Sequence, residues 1–325
     1  MAISSDSVVE GYRKLMDIRA AIGSIVLGQD ELISGLLIAA MTNNHALIEG
    51  LPGLAKSLAV STFAATIESS FTRIQFTPDL LPADLTGTQI FDPRDTQFHT
   101  RKGPIFSNVI LADEINRAPA KVHSALLEAM EENSVTIGGS TLELPDPFLV
   151  LATQNPIEHE ATYRLPEAQL DRFMLKIVVK YPEMEDERSM VDQRLSRSTV
   201  LLKSVISASE LRAIQDVTSQ INIDPKIRDY ILRLVRASRV MGDEEKGNMS
   251  RWIEYGASPR ASIFFVEGTQ ALALLNSREY VLPEDVKQIA KSILRHRLVL
   301  TYQAEAEGIT TDDVIDQLLE NVPIP

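Results

Sequence analysis

The segment that decides the fold is Gly50-Leu51-Pro52-Gly53-Leu54-Ala55-Lys56-Ser57, a glycine-containing turn between two regular patterns. An apolar run, His45–Glu49, precedes it and predicts a short strand, and a helical pattern follows from Lys56 to Glu68. A strand that enters such a turn and leaves it as a helix is the context in which backbone N–H groups bind phosphate. Lys56 would then reach the β- and γ-phosphates of a nucleotide, and the Ser57 hydroxyl would bind Mg²⁺.

Residue 55 departs from the general phosphate-loop pattern, which has glycine immediately before the lysine. Ala55 stands at that position in this chain. Taken alone, the segment therefore leaves two interpretations open. It is either a nucleotide site or a glycine-rich turn between a strand and a helix that happens to end in Lys-Ser.

A second apolar run, Asn108–Ala112, predicts a strand that ends in two carboxylates, Asp113 and Glu114. Asp113 is suited to contact Mg²⁺ directly or through an intervening ligand, and Glu114 to polarise a water for attack on the γ-phosphate. In isolation the same residues also describe a buried strand that stops at two solvated acids.

A third apolar run, Phe148–Thr153, leads to an amide at Asn155, which could orient the same water or touch the γ-phosphate. An isolated Asn before Pro156 is also typical of a turn. Three predicted strands thus end in phosphate-binding, carboxylate and amide groups. Because ligands bind at the carboxyl ends of strands in open α/β sheets, these groups are expected to meet at one edge.

The remaining pattern indicates an α/β core. Further strands are expected at Thr72–Phe76 and Leu175–Val179, and their alternation with helices favours a mostly parallel sheet covered on both faces. Two extra pieces interrupt the alternation. Thr88–Lys102 is expected to be a loop or hairpin, and Ser134–Leu144 a hairpin that turns at Gly138-Gly139.

The composition changes after Tyr181-Pro182, which predicts a domain boundary. We expect an α/β core over residues 1–182 with N-terminal helices, a charged connector over 183–205, and an all-helical domain over 206–325. The predicted helices are Val8–Ile25, Asp30–Asn43, Lys56–Glu68, Lys121–Glu132, Ser209–Gln220, Pro225–Ser238, Ala261–Asn276, Pro283–Leu298 and Thr311–Leu319.

Two arginines complete the set of candidate site residues. Arg172 lies in the segment Leu165–Phe173, and Arg260 lies in Ser258-Pro259-Arg260-Ala261 at the start of a predicted helix. A guanidinium can supply fixed positive charge to a transferring phosphoryl group, from the same subunit or from a neighbour. Each arginine alone would equally suit an ordinary salt bridge.

The overall composition is that of a soluble globular protein, with 325 residues, 44% hydrophobic and 24% charged. The net charge of −13 argues against broad binding of a nucleic-acid backbone. The absence of cysteine excludes disulfides, thiolate zinc sites and cysteine nucleophiles. With no signal-peptide pattern, and with the most apolar run, Leu32–Met41, about half the length of a membrane span, we expect a cytoplasmic protein without a membrane span.

These residues together resemble the AAA+ ATPases and, more narrowly, the MoxR family. The matching strings occur in family order between about Gly28 and Val299, and the alanine before the lysine is itself typical of this family. They are Gly50–Ser57, Gln75–Gly87, Asp113–Ala118, Thr153–Pro156, Leu165–Phe173 and Ser258–Ala261.

The resemblance implies a role for each candidate residue. Lys56 and Ser57 match the Walker A lysine and hydroxyl, whereas Asp113 and Glu114 match the Walker B pair. Asn155 matches sensor 1. Arg260 matches sensor 2 on a helical lid, and Gly28-Gln29 would lie beside the adenine. Arg172 matches the arginine finger that acts on ATP in the next subunit, and Arg164 is a rival for that role.

The resemblance also implies a function: a Mg²⁺-dependent ATP hydrolase that works as an oligomeric ring, expected to be a homohexamer. MoxR relatives are thought to act as chaperones that remodel or mature protein partners, often von Willebrand factor A-domain proteins, and in some cases in metal insertion. The two interrupting segments match family insertions that face the ring pore or the client.

Two alternatives remain at this level. The first is a nucleic-acid motor or transcription-activating ATPase, which the acidic charge and the absence of an added DNA-binding module disfavour; the insert at Thr88–Lys102 holds three basic residues but also Asp92 and Asp95. The second is a nucleotide-binding switch without turnover, which the intact candidate catalytic residues disfavour. The client is not identified by the sequence.

Overall fold

The computed structural model describes residues 4–156, 163, 165–196, 202–239 and 251–325. Two compact units are present. One contains Met16–Phe173 and Ile177–Arg212, and the other contains Met1–Leu15, Met174–Lys176 and Ala213–Pro325. The predicted division into residues 1–182, 183–205 and 206–325 stays a prediction.

The regular elements are numbered in chain order. The helices are α1 (Ser5–Gly23), α2 (Asp30–Met41), α3 (Lys56–Ala65), α4 (Pro82–Thr86), α5 (Ala120–Glu132), α6 (Glu167–Leu170), α7 (Met184–Leu195), α8 (Ala208–Ser219), α9 (Pro225–Ala237), α10 (Pro259–Leu275), α11 (Pro283–Leu294), α12 (Tyr302–Ala306) and α13 (Thr311–Asn321). The strands are β1 (Ala46–Glu49), β2 (Ile67–Glu68), β3 (Phe71–Gln75), β4 (Gly87–Asp92), β5 (Gln97–Lys102), β6 (Val109–Asp113), β7 (Ser134–Ile137), β8 (Ser140–Glu143), β9 (Leu149–Gln154), β10 (Leu175–Val178), β11 (Ile206–Ser207), β12 (Ile253–Tyr255) and β13 (Val299–Leu300).

The unit that contains Met16–Phe173 and Ile177–Arg212 is the α/β unit. It holds β1, β9, β6 and β3 of a five-stranded sheet with the order β10-β1-β9-β6-β3. The pairs β1–β9, β9–β6 and β6–β3 are parallel, which confirms the α/β parallel-sheet core expected from the sequence. All five residues of β6 are buried, as are the first five of β9. Strands covered on both faces must be apolar throughout, and this explains the uninterrupted runs in the sequence.

The two segments that interrupt the strand–helix alternation are antiparallel hairpins. Strands β4 and β5 pair from Gly87 with Lys102 to Asp92 with Gln97, so the first is a hairpin rather than a loop. Strands β7 and β8 pair across Gly138 and Gly139, whose φ angles are +57° and +84°. Two consecutive residues with positive φ give the tight turn that matches the twist of a hairpin, and glycine adopts them without strain.

The second unit consists mainly of helices, in agreement with the predicted helical domain. Its apolar core includes Tyr230 of α9, Phe265 of α10 and Ile293 of α11, all fully buried. One short antiparallel pair, β12 with β13, adds to the helices. Gly11 of α1 lies against Leu274 of α10, which places the first part of α1 with this unit.

The segment after the sheet is more regular than a connector. Helix α7 carries an acidic first turn and none of its residues is buried, and β11 pairs in parallel with β2. Within the described residues, no helix is both long and apolar enough to cross a membrane.

His45 joins the first strand to its neighbours. Strand β1 begins only at Ala46, and the Nδ1 atom of His45 accepts a hydrogen bond from the Val150 N–H of β9 at 3.0 Å. The neutral ring can then donate from Nε2 to the Met130 carbonyl, 3.3 Å away. Burial lowers the pKa of His45 from 6.5 to about 4, outweighing the opposite effect of the Met130 hydrogen bond.

We predict that His45 makes the fold acid-sensitive. A folded-state pKa below the unfolded value means that the unfolded chain binds more protons between pH 6.5 and 4, so stability falls as the pH falls through this range. Wild-type protein should lose about 2 kcal/mol more unfolding free energy between pH 7 and pH 5 than His45→Asn does. Urea unfolding at the two pH values measures this difference.

The matched control is His99→Asn, because His99 is exposed on β5. That variant should show the wild-type pH dependence. An equal loss of stability in wild type and His45→Asn would contradict the assignment.

Candidate nucleotide-binding site

The turn between β1 and α3 has the backbone geometry of a phosphate-binding loop. Gly53 has a φ of +85° and Ala55 a φ of +58°, so two left-handed residues stand just before the helix. A left-handed residue is less strained as glycine, which gives a physical reason for the glycine of the general pattern at position 55. Ala55 also offers no side-chain acceptor at the helix start. The first-turn N–H groups of α3 are therefore suited to bind an anion.

Lys56 is held at the edge where β1 and β9 end. Its Nζ donates to the carbonyl oxygens of Gly50, of Leu51 at 3.3 Å and of Gln154 at 3.3 Å. The N–H of Gly50 also donates to the Gln154 carbonyl, which extends the pairing of the two strands into the loop. The ammonium group thus lies against carbonyl oxygens of the loop and of the end of β9.

Ser57 and Asp113 meet, as the sequence predicts for a metal-binding pair. The Ser57 hydroxyl lies 3.1 Å from Oδ1 and 3.0 Å from Oδ2 of Asp113, at the end of β6. The Asp113 side chain is only 8% exposed. Thr153 of β9 donates a further hydrogen bond to Oδ1 at 2.5 Å. Convergent hydroxyl and carboxylate oxygens are the hard donors that Mg²⁺ prefers, so this donor set fits the ion.

Glu114 follows directly and is oriented by its backbone and by two side chains. Its φ of +55° turns the chain sharply after β6, and its N–H donates to Thr153 Oγ1 at 2.9 Å. Gln75 Nε2 donates to Glu114 Oε2 at 2.7 Å, and Arg117 Nη1 donates to the same oxygen at 2.9 Å. The carboxylate is therefore held in place beside Asp113.

Sequence reasoning missed several residues that contact this carboxylate pair. Arg73 of β3 pairs with Asp113, while Gln75 and Thr153 hold the positions described above. Arg73 and Gln75 are two apart in a strand and therefore share a face, and Gln75 lies opposite Asp113 in the ladder. These two polar residues on one face of a strand-like run were the sequence signal that could have indicated a contact with the carboxylate pair.

Asn155, Gln29 and Gly28 are three further residues that the sequence predicts for the nucleotide site. Asn155 is buried immediately after β9. Gln29 is also buried, and its Nε2 donates to the carbonyl of Lys180 at 3.1 Å. Gly28 has a φ of +67° and lies so close to Asp186 that a Cβ atom would overlap it. Val179, which precedes Lys180 in the segment after β10, lies against Gly50, so this segment contacts the phosphate loop.

Arg172 has a different environment. Its Nε and Nη2 atoms donate to Glu131 of α5 at 2.9 and 2.7 Å, and its Nη1 donates to the Ala168 carbonyl at 3.0 Å. Among the described residues, its hydrogen-bond partners are thus Glu131 and Ala168 rather than the carboxylate pair Asp113 and Glu114. Arg164, the rival arginine, lies outside the described residues.

Arg260 lies in the helical unit. It occupies the first turn of α10, where its N–H donates to the side chain of the capping residue Ser258 at 3.2 Å and Pro259 occupies the first helical position. This start is typical of helices, because proline needs no hydrogen-bond acceptor there and serine supplies one.

Comparison with protein families gives two matches. Residues 45–175 match the model described as the ATPase family associated with various cellular activities (AAA), and residues 248–318 match the AAA lid domain. The first match includes the phosphate loop, the carboxylate pair and Asn155. The second corresponds to much of the helical unit.

Individual proteins are similar over nearly the whole chain. The chain is 46% identical to Chaperone MoxR1 of Mycobacterium tuberculosis over 93% of its own length and 80% of that protein. It is 40% identical to the uncharacterized protein YeaC of Bacillus subtilis, covering 94% and 92% of the two chains. A crystal structure of a candidate ATPase from Cytophaga hutchinsonii superposes with a TM-score of 0.90 at 46% identity, covering 98% and 97%. The sheet, the carboxylate pair and these similarities lead to one assignment: the chain belongs to the MoxR family of AAA+ ATPases.

Proposed function

We propose that this protein is a Mg²⁺-dependent ATP hydrolase that couples turnover in an oligomeric ring to chaperone-like remodelling or maturation of a protein partner. The observation that carries the proposal is the contact of Ser57 with Asp113 beside the loop that holds Lys56. Hydroxyl, carboxylate and ammonium groups at one strand edge are the components that phosphoryl transfer from a nucleotide needs.

The proposed division of labour follows from the position of each group. The amides of Gly50–Ser57 and the Lys56 ammonium bind the phosphates, with the helix dipole of α3 adding positive potential. Ser57 and Asp113 hold Mg²⁺, which neutralises developing phosphate charge. Gly28 and Gln29 are assigned to the adenine side, where the segment after β10 lies against both Gln29 and Gly50.

Glu114 is the proposed general base. Its carboxylate is fixed by Gln75 and Arg117, and it remains an acceptor for a water proton through its second oxygen. Asn155 follows the neighbouring strand and is assigned to orienting the same water or the γ-phosphate. Arg260 is assigned the sensor 2 role that the family gives to an arginine at this motif.

Arg172 is the proposed arginine finger for ATP in the next subunit. Its paired position on Glu131 keeps the guanidinium at a defined place on its own subunit. A ring, most simply a homohexamer, then completes each active site from two chains. The proposed location of this protein is the cytoplasm, and its proposed partner is a von Willebrand factor A-domain protein. The net charge of −13 opposes a nucleic-acid motor.

We predict that Lys56→Ala and Glu114→Gln separate binding from hydrolysis. Loss of the Lys56 ammonium should weaken ATP affinity on the order of 10- to 100-fold, because charge-assisted hydrogen bonds contribute about 1.5–3 kcal/mol. Glu114→Gln should retain affinity within about twofold and lower phosphate release by about 100- to 10,000-fold, the usual contribution of a general base. A fluorescent ATP analogue measures binding and a phosphate-release assay measures turnover.

The matched controls are Lys121→Ala on α5 and Glu143→Gln on β8, since both side chains are exposed. Both should behave as wild type. Normal turnover by Glu114→Gln would exclude Glu114 as the base, and unchanged affinity of Lys56→Ala would exclude the phosphate site.

We also predict that the active site is shared between subunits. Specific activity of wild type should rise with protein concentration, and Arg172→Ala should lower it by about 1000-fold or more, as for other arginine fingers. Mixing Arg172→Ala with Glu114→Gln should restore activity, because one chain keeps its base and the other supplies the arginine. Phosphate release from the mixture measures this complementation.

Arg212→Ala serves as the control, because Arg212 also forms an exposed ion pair, with Asp146. Arg164→Ala is tested in the same mixtures. If mixing with Glu114→Gln restores the activity of Arg164→Ala but not that of Arg172→Ala, the arginine-finger role passes to Arg164. A specific activity that does not change with concentration, in a protein that stays monomeric, would reject the shared site.

A further inference from the structure

Arg73 contacts the Asp113 carboxylate of the proposed metal site through two nitrogen atoms, and it has no role in the proposed function. Its Nε lies 3.0 Å and its Nη2 2.6 Å from Oδ2 of Asp113. The Arg73 side chain is 57% exposed, whereas that of Asp113 is 8% exposed. The exposed Arg73 guanidinium therefore forms an ion pair with the buried Asp113 carboxylate.

The Asp113 carboxylate is fully used by its present donors. Thr153 donates to Oδ1, both nitrogens of Arg73 donate to Oδ2, and the single Ser57 hydrogen lies within reach of both oxygens, so four donor hydrogens face the carboxylate. A carboxylate has about four lone-pair positions. A metal ion or a metal-bound water that engages Asp113 must therefore take the place of one of these donors.

Arg73 is the donor that can leave at the lowest cost. Thr153 is 1% exposed and also accepts from the Glu114 N–H, so its departure would leave buried polar groups without partners. Ser57 can keep its hydrogen bond to Asp113 while a lone pair of its oxygen faces the metal. Arg73 faces solvent and has a second acceptor, Gln75 Oε1, 3.4 Å from Nη2.

Electrostatic repulsion favours the departure of Arg73 from Asp113 when a metal ion binds. A guanidinium and a divalent cation repel each other when both address the same carboxylate in a partly enclosed site. We propose that Arg73 is a displaceable counter-ion of Asp113, which competes with Mg²⁺ and thereby raises the Mg²⁺ concentration needed for tight nucleotide binding. This inference rests on the proposed Mg²⁺-dependent function and assigns to it a residue that sets its metal requirement.

The test measures Mg²⁺ dependence of binding rather than activity. Full-length protein is titrated with N-methylanthraniloyl-ADP, first in EDTA and then at increasing free Mg²⁺. Arg73→Gln should lower the half-saturating Mg²⁺ concentration about fivefold, the factor that corresponds to about 1 kcal/mol for a partly exposed ion pair. Arg73→Lys keeps the charge without the two-nitrogen contact and should fall between wild type and Arg73→Gln.

Arg94→Gln is the matched control, because Arg94 uses the same two nitrogens, Nε and Nη2, to contact a carboxylate, that of Asp92 on the β4–β5 hairpin. It should leave the Mg²⁺ requirement unchanged. An unchanged or raised half-saturating concentration in Arg73→Gln would overturn the inference. So would an equal change of affinity in EDTA and in saturating Mg²⁺, since Arg73 would then act on the phosphates alone.

The failure of the underlying function is recognised separately. If Mg²⁺ does not tighten nucleotide binding in wild type, and Ser57→Ala binds as wild type does, then the metal site itself is wrong and the role of Arg73 falls with it. If wild type depends on Mg²⁺ and Arg73→Gln has the same dependence, only the inference about Arg73 is rejected.

Discussion

The hydrogen bonds from Ser57 to Asp113 are the constraint on which the site depends, because they join the helix after β1 to the end of β6. Strand β9 lies between these two strands, and its Thr153 contacts the same carboxylate. Three parallel strands must therefore end at the same level for the contacts to form. The buried apolar residues of β6 and β9 that precede Asp113 and Thr153 fix that level through packing and ladder hydrogen bonds.

The same edge carries two non-glycine residues in left-handed conformations, Ala55 and Glu114. Each costs about 1–2 kcal/mol relative to ordinary backbone. Both follow a strand and redirect the chain at the edge where the strands end. Such strain persists only where surrounding structure enforces it, here the Thr153 contact to the Glu114 N–H and the ladder beneath.

The sequence predicts those parts of the site that are contiguous in the chain. A strand, turn and helix around Lys56 are read from adjacent residues, as is an apolar run ending in Asp113-Glu114. Arg73, Gln75 and Thr153 were missed because their roles depend on which strands neighbour each other and in what register, which local patterns do not encode. Two-residue strands such as β2 and β11 were missed for the same reason, since each exists only through the other.

The excess of acidic residues is reflected in ion pairs around the candidate site. In a chain with a net charge of −13, the arginines of the α/β unit that pair with carboxylates include Arg73 with Asp113, Arg117 with Glu114 and Arg172 with Glu131. In the proposed function, Mg²⁺ that engages Asp113 would replace Arg73 as its partner rather than meet an unpaired carboxylate. Because an existing ion pair must loosen before the same carboxylate can bind a metal, part of the free energy gained from the new contact is offset. The balance between nucleotide, metal and carboxylate is therefore readily shifted by one charge.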